Sequence, residues 1–505
     1  MKPVSVERSN IVLYPDRTRV LLRPFHAMSD QRAITICAEV AALPECEVRA
    51  LLGQILAEFG ERHLDIREFF RKRFEEVRPY LLTELKADGP FKRRSDDARP
   101  ALSAADRLSE ERELLLGGYF SHEYSLEAAA LFNPSIVTHP DQSGVPPGSL
   151  RFVLSLRATG EGHVSSIVFR TGCLDSNGHI SIDVDSRYCV EPEPASNVTY
   201  GKQLFDRKLH DLGLAGGFSQ QVLNAFGDSF TLDGLRAGLS LAVDQLRRRS
   251  AETEAVAREI LTLAQSNYEV QFAPDSHLSE RVLFPATPSQ SNGIEDARFV
   301  LFHNEDGTLK YYATYTAYDG KAIQPQLIET SDFLRFKFIT LSGPAIENKG
   351  MALFPRKIRG QYAMLSRQDY ENIYVMFSDN LHFWRDVQLV LKPAFPWEFV
   401  QLGNCGSPIE TEAGWLVLSH GVGPMRKYCI GAFLLDHDDP TRVIGRLPEP
   451  LIAPSASERE GYVPNVVYSC GSLLHGRRLI IPYGISDYAT TFATVSLDGL
   501  LAAMK

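Results

Sequence analysis

Tyr362-Ala-Met-Leu-Ser-Arg367 and Asn372-Ile-Tyr-Val-Met-Phe-Ser-Asp-Asn-Leu-His-Phe-Trp384 are two short apolar runs separated only by residues 368–371. Each is rich in β-branched and aromatic residues, and the second runs out into Ser-Asp-Asn, a turn signal. Together they read as strand, turn, strand, turn. The same texture extends in both directions. FVLFHN (299–304), KYYATYTAY (310–318) and FKFITLSG (336–343) precede the pair. GWLVLSHGV (414–422), YCIGAFLLD (428–436) and RLIIPYGIS (478–486) follow it. The intervals are short, carry Gly, Asp or Asn, and hold no long helix. A doubly wound α/β sheet is thereby excluded, because parallel strands need a crossover helix after nearly every one. A sandwich, a barrel or a propeller fits. Strand-to-Asp units recurring at roughly 40–60 residues, with Ser486-Asp487 after Tyr483-Gly484 as another instance, favour the propeller.

Upstream, residues 131–138, 150–157 and 163–171 carry the same β texture. Residues 200–265 interrupt it with helical patterns such as LRAGLSLAVDQLRRR (235–249) and AVAREILTLAQ (255–265). Near the start, residues 11–25 read as two short strands around a Pro-Asp-Arg turn. From Glu45 the period becomes helical: Val48, Leu51, Leu52, Ile55, Leu56 and Phe59, then Ile66, Phe69, Phe70 and Phe74. A polar stretch with Lys92, Arg93, Arg94, Asp96, Asp97 and Pro100 reads as a solvated linker.

Composition narrows the function classes. The 505 residues are 44% apolar, 23% charged and 10% aromatic, an ordinary soluble composition long enough for about two to three structural units. Fifty-three Lys and Arg against sixty-three Asp and Glu leave a net charge of -10, which argues against a nucleic-acid or anionic-membrane partner. No run approaches the roughly 20 apolar residues of a membrane span. Arg8, Asp16, Arg17, Arg19 and Arg23 break up any signal-peptide stretch. The cysteines (37, 46, 173, 189, 405, 429, 470) form no CxxC pair, so neither a disulfide framework nor a zinc site is expected, and a cytoplasmic location with free thiols is. No metal is called for.

No phosphate-cradling, dinucleotide, zincin or nucleophile-elbow motif occurs. Carboxylates and basic groups instead gather at strand ends. In Gly293-Ile-Glu-Asp-Ala-Arg298, simple alternation would put Asp296 and Arg298 on one face and Glu295 on the other. Such a pair serves equally as a structural ion pair. A second cluster runs from Asn348-Lys349 to Lys357 and on to Ser366-Arg367-Gln-Asp369. A third holds Gly403-Asn-Cys-Gly-Ser-Pro-Ile-Glu410 and Ser419-His420-Gly421. Carboxylates can transfer protons, and Arg or His can hold an anion or sugar hydroxyls. A lone histidine is also a common core residue. Trp384, Trp397 and Trp415 could stack on sugar rings or fill the core.

GIEDAR, NKGMALFPRKIRGQYAMLSR, GSPIETEAGWLVLSHGV, YCIGAFLLDHDDPTRVIGR, EREGYVPNVVY and PYGISD together resemble glycoside hydrolase family 130, the β-mannoside phosphorylases and β-mannosidases. The likeness covers about residue 265 onward and extends faintly to Phe132-Asn-Pro-Ser135 and Leu154-Ser-Leu-Arg157. It implies a mainly β fold, a five-bladed β-propeller from residues 126–190 and 266–505; the mostly helical domain at 1–125 and the helical insertion at 191–265, expected between strands of the first blade, lie outside the family's usual core. It implies Asp296 as the general acid, its proton travelling through a mannose hydroxyl. Asn133, Arg157 and Asp487 fall where the family holds the mannose ring, and Arg298, Lys349 and Asp369 join that substrate-binding set. Arg367 and His420 fall on the phosphate, with Gln401 where the phosphorylases commonly carry a lysine. Gln donates a hydrogen bond but brings no charge, so that departure weakens the hold on a doubly charged anion.

The resemblance implies inverting phosphorolysis of a β-mannoside to α-mannose 1-phosphate, or its reverse. No cofactor is expected beyond inorganic phosphate as co-substrate. The partners expected are a mannose-containing oligosaccharide and phosphate, with self-association left open. An inverting β-mannosidase is the close alternative; it needs a second carboxylate about 6.5–9.5 Å from the acid, and Glu371, Glu398 and Glu410 are near in sequence. Mannosyl transfer to lengthen chains and a non-catalytic carbohydrate-binding propeller are the other readings.

Overall fold

The computed structural model describes residues 4–86, 108–195, 199–245 and 250–504. The polar stretch around residues 92–100 lies outside them. The chain divides into two compact units: Met1–Asp16 with Glu127–Ser186 and Val190–Lys505, and Arg17–Leu126 with Arg187–Cys189.

The smaller unit is mostly helical. Helices Asp30–Ala41, Glu45–Phe59, Ile66–Lys86 and Glu110–Tyr119 accompany one strand pair, Val20–Pro24 with Ser121–Ser125. The apolar period recognised in the sequence turns Val48, Leu52, Phe70 and Phe74 inward. Gly117 is there because a Cβ would meet the Phe70 carbonyl oxygen at 1.9 Å, so the two helices touch backbone to backbone.

The larger unit is mainly β, built from antiparallel groups. Ala130–Thr138, Leu150–Thr159 and Ser165–Leu174 form the first. Gly293–His303, Leu309–Tyr318, Ile323–Thr330 and Arg335–Thr340 form the second, joined to the first by one parallel bridge at Gly293 and Ser165. Ala352–Leu353, Tyr362–Ser366, Ile373–Ser378 and Asp386–Leu391 make the third. Gln401–Asn404, Gly414–Val422, Tyr428–Leu435 and Val443–Arg446 make the fourth. The last contains Val467–Tyr468, Arg478–Ile485 and Ala489–Ser496, and it is completed by Val6–Leu13 from the beginning of the chain. The two strands expected within residues 11–25 therefore exist but do not pair with each other. Each finds a non-local partner that adjacency in sequence does not reveal.

Each group packs on the next. Phe169, Phe299, Phe333 and Phe336 interlock between the first and second. Trp384 lies among Leu353, Met364 and Met376 of the third. Leu402, Trp415 and Phe433 meet Phe354 and Leu365 across the third and fourth, while Leu418 and Ile430 meet Leu479 and Ile481 across the fourth and last. Burying each of these side chains contributes about 1.5–3 kcal/mol. The last group then hydrogen-bonds back to the first: Leu131 N–H donates to the Tyr488 carbonyl (2.9 Å), Thr490 Oγ1 to the Leu131 carbonyl (3.0 Å) and Cys470 N–H to the Pro134 carbonyl (2.8 Å). A 430 Å³ cavity is lined by residues of all five groups, among them Ile136, Phe299, Pro355, Ile409 and Leu473.

The helical interruption contains Lys202–Asp211, Gly217–Asn224, Leu232–Asp244 and Ala251–Gln265, packed around Phe205, Leu209, Leu235 and Ile260. Strand Ile180–Ile182 before it and Val282–Leu283 after it both pair with Ser165–Leu174. Lys208 anchors it to the second group, its ammonium donating to the Thr340 carbonyl at 2.6 Å and to Asn267 Oδ1 at 3.0 Å. Among the described residues, no helix is long and apolar enough to cross a membrane, and no cluster of three or more His, Cys, Asp or Glu is placed to hold a metal ion.

Candidate active site

Two β-bulges shape the centre of the site. Between Phe132, opposite Arg157, and Ser135, opposite Ser155, the strand holds extra residues, and Asn133 there has φ of 49°. Between Glu295, opposite Thr316, and Arg298, opposite Thr314, it happens again, with Asp296 at φ of 53°. A bulge re-aims side chains, and a left-handed backbone at a non-glycine residue costs about 1–2 kcal/mol. This overturns the alternation expected for GIEDAR. Glu295 and Asp296 both reach Arg157: Nη2 donates to Glu295 Oε1 at 2.7 Å and Nη1 to Asp296 Oδ1 at 3.3 Å. Asn133 Nδ2 donates to the same Asp296 oxygen at 2.7 Å. Arg157 is steadied by Ser165 Oγ at 2.9 Å and stacks its guanidinium over Phe132 at 5.1 Å. Lys349 lies 3.9 Å from Glu295 and, with Asp296, Arg298, Thr314 and Thr316, lines a small cavity. Asp487 sits in the turn between Arg478–Ile485 and Ala489–Ser496, also left-handed at φ of 49°.

These charges act on one another. Burial alone would push the Asp296 carboxyl up, but Arg157, Lys349, the Asn133 hydrogen bond and Arg298 together hold it below the usual carboxylate range. Asp487 goes the other way, raised to about 6 by burial and by the negative charge of Asp296, against the opposing pull of Arg157, Arg426 and Lys349. Two carboxyls whose environments push them apart in acidity are the raw material of proton transfer.

Beside them lies a cationic hollow. Arg298 is 3% exposed; Nη2 donates to the Tyr468 hydroxyl at 2.6 Å, while Nε and Nη1 have no hydrogen-bond partner. Arg367 is 6% exposed, and its Nε is likewise unpartnered. Arg367 Nη1 and Gln401 Nε2 both lie 3.4 Å from His420 Nε2. Two donors aimed at one ring nitrogen make it the acceptor, so the proton sits on Nδ1, towards Cys405 Sγ and the Asn404 carbonyl. Burial first, then Arg367 and Arg298, depress His420 well below its ordinary value, so the ring is neutral. Tyr468 spans the two parts, its ring 4.9 Å from His420 and its hydroxyl on Arg298.

Asn133, Arg157, Asp296, Arg298, Lys349 and Asp487 thus interact in one neighbourhood, and Arg367, His420 and Gln401 form an adjoining one. Asp369, expected among the substrate-binding residues, lies in the turn between Tyr362–Ser366 and Ile373–Ser378. Its carboxylate is occupied by its own turn, accepting from Glu371 N–H, Asn372 N–H, Asn372 Nδ2 and Tyr374 Oη. The tryptophans are packing residues: Trp384 and Trp415 are fully buried, and Trp397 lies so close over Gly421 and Gly431 that a Cβ on either would meet its ring at 2.5 or 2.4 Å. Glu398 is buried against Arg446 (2.6 Å) and the Ala394 and Phe395 amides. Glu410 pairs with Arg356 and His437. Sequence reasoning assigned no role to Glu295 or Tyr468, although both lie inside the quoted motifs. Their signal was adjacency to Asp296 and to a strand end.

A family model described as beta-1,4-mannooligosaccharide phosphorylase matches residues 249–505. Over 231 residues the chain is 38% identical to 1,2-beta-oligomannan phosphorylase of Thermoanaerobacter sp. (strain X514), covering 44% of this chain and 75% of that protein. It is 31% identical over 232 residues to beta-1,2-mannobiose phosphorylase of Listeria innocua serovar 6a, covering 44% of this chain and 63% of that one. The solved complex of the Listeria innocua enzyme with beta-1,2-mannobiose aligns over 75% of this chain and 93% of its own at 21% identity, with a TM-score of 0.45. With its family model matched across half the sequence and a curated relative matched over three quarters of that relative's length, the chain belongs to glycoside hydrolase family 130.

Proposed function

We propose that this protein cleaves β-mannosides by inverting phosphorolysis, releasing α-mannose 1-phosphate, and runs the reverse synthesis when that product is abundant. The observation that carries this is the pair Arg298, expected from the sequence among the substrate-binding residues and reassigned here to the anion, and Arg367. Both are buried, neither has a carboxylate within salt-bridge reach among the described residues, and both leave N–H donors unmet. For Arg367, whose basicity is depressed first by burial, that state costs several kcal/mol unless an anion joins it. Phosphate is that anion and also the nucleophile. Hydrolysis needs a carboxylate to activate water; Glu398 and Glu410 are tied into ion pairs of their own, and Glu371 lies exposed in the turn before Ile373–Ser378.

In the proposed reaction a phosphate oxygen attacks C1 of the mannose from the face opposite the leaving sugar. The C1–O bond to phosphate forms as the glycosidic C1–O bond breaks, and the leaving oxygen takes a proton originating on Asp296. Burial raises the Asp296 carboxyl but its neighbouring cations outweigh that and favour the carboxylate, so the proton is taken up together with the entering phosphate before the glycosidic bond breaks. A phosphate arriving at Arg298 offsets that positive field, so binding of the nucleophile favours protonation of the acid. Asn133, Arg157, Lys349 and Asp487 would hold the mannose hydroxyls.

The five strand groups are read as the blades of one propeller. Supporting this, each group packs on the next, Val6–Leu13 joins the last, and the last hydrogen-bonds to the first. Incubation with β-1,2- and β-1,4-mannobiose, with and without phosphate, tests the function. Mannose 1-phosphate should form only with phosphate; free mannose at the same rate in its absence would leave the mannosidase reading standing.

A further inference from the structure

The turn between Tyr362–Ser366 and Ile373–Ser378 carries an exception to ordinary backbone chemistry. Tyr370 adopts φ of 65°, a left-handed conformation that suits glycine or asparagine and penalises a bulky aromatic. The residue is 57% exposed, so it gains little from burial in return. Its neighbours hold the turn in place. Asp369 gathers two backbone amides, the Asn372 amide group and the Tyr374 hydroxyl. Gln368 Nε2 donates to the Ala345 carbonyl at 3.0 Å, and the Glu371 carbonyl accepts from Leu402 N–H at 3.2 Å, beside Gln401. Every residue around Tyr370 is engaged, and Tyr370 is the one held out.

What it is held over is Arg367, whose guanidinium carbon lies 5.8 Å from the ring centroid. That guanidinium is the buried cation with an unmet Nε–H next to neutral His420. The aromatic face attracts the cation electrostatically and keeps solvent off one side of it. Strained non-glycine conformations persist only where the surrounding structure over-determines them, and they cluster at active sites and ligand clamps.

We propose that Tyr370 is a positioning residue for the phosphate nucleophile: its ring orients and partly desolvates Arg367, and the Asp369 turn exists to hold that ring there. This rests on the phosphorolysis reading above and assigns it a residue that the general acid and sugar contacts do not include. It also accounts for Asp369, whose carboxylate serves the turn.

The test separates function from folding because the two should move in opposite directions. In Tyr370→Gly the left-handed backbone becomes unstrained, so the thermal midpoint of the phosphate-free protein should match or exceed that of the wild type. The KM for phosphate should nevertheless rise roughly three- to tenfold, the range of one cation–π contact, with the mannoside KM and kcat within about twofold of wild type. Tyr370→Phe keeps the face of the ring and should retain the wild-type phosphate KM. An unchanged phosphate KM in Tyr370→Gly overturns the proposal, as does an equal loss in Tyr370→Phe. If wild-type turnover ignores phosphate altogether, it is the phosphorolysis reading that has failed, and that result is visible before any variant is made.

Discussion

Arg367→Leu should weaken phosphate binding severely without harming the fold. The residue is 6% exposed, has no carboxylate partner among the described residues and leaves Nε unmet, and burial depresses its basicity. An unpaired buried cation opposes folding, and a branched alkyl group of smaller volume does not. The thermal midpoint of the phosphate-free variant should therefore equal or exceed that of the wild type. Phosphate binding loses at least one charge-assisted hydrogen bond, about 1.5–3 kcal/mol, or roughly ten- to a hundredfold in affinity. Thermal unfolding across a phosphate series reads both quantities. Ligand at a hundred times its dissociation constant stabilises the wild type by about 2.7 kcal/mol, and the same concentration should stabilise the weakened variant by only about 0.4–1.4 kcal/mol, so its upward thermal shift should be at most about half that of the wild type. Initial rates against phosphate supply the independent KM. A variant with the wild-type thermal response to phosphate would refute the anion-hollow reasoning, even if its turnover had fallen for other causes.

Asp296→Asn removes the transferable proton while preserving shape; turnover should fall roughly 100-fold or more, with the mannoside KM nearly unchanged, as steady-state kinetics would show. Asp487→Asn tests the raised carboxyl. Its folded value of about 6 exceeds the unfolded one, so ionisation costs stability as pH rises from about 4 through 6; the variant should gain up to roughly 3 kcal/mol at pH 8 and only about 0.5 kcal/mol at pH 4, measured by denaturant unfolding at both. Gln401→Lys places a second cation beside His420 and Arg367, so the phosphate KM should fall while the phosphate-free thermal midpoint drops; a KM that does not respond would separate Gln401 from the nucleophile's pocket.

The strands from Phe299 onward were legible because alternation and turn residues are local signals, and the packing of Trp384 and Trp415 follows from the same runs. Bulges are not local signals. Nothing in Glu-Asp-Ala-Arg announces that two residues will oppose fewer on the neighbouring strand, so period-two reasoning separated Glu295 from Asp296 when both face Arg157. Asn133 was placed in the site by resemblance, yet the left-handed backbone that aims it is invisible in Phe-Asn-Pro-Ser. Asp369 shows the opposite limit. The Arg-Gln-Asp at a strand end is conspicuous in the sequence, but that its carboxylate closes an Asx-type turn within three residues is not.

Val6–Leu13 and Ala489–Ser496 pair across the whole length of the chain; Thr491 donates to the carbonyl of Ile11, 480 residues earlier. During synthesis that first strand emerges long before its partner. At about 5–20 residues per second it waits roughly half a minute or more with an unpaired edge, and closing so long a loop costs about 5 kcal/mol before any contact rewards it. A truncation that removes the helical region together with everything before it would also strip the outer strand from the last sheet, leaving Ala489–Ser496 as an open, aggregation-prone edge. Excising residues 17–126 and rejoining Asp16 to Glu127 is the cut that respects the sheet. The backbone amide of Asp16 already donates to Glu127 Oε2 at 2.9 Å, so the two ends to be joined lie side by side.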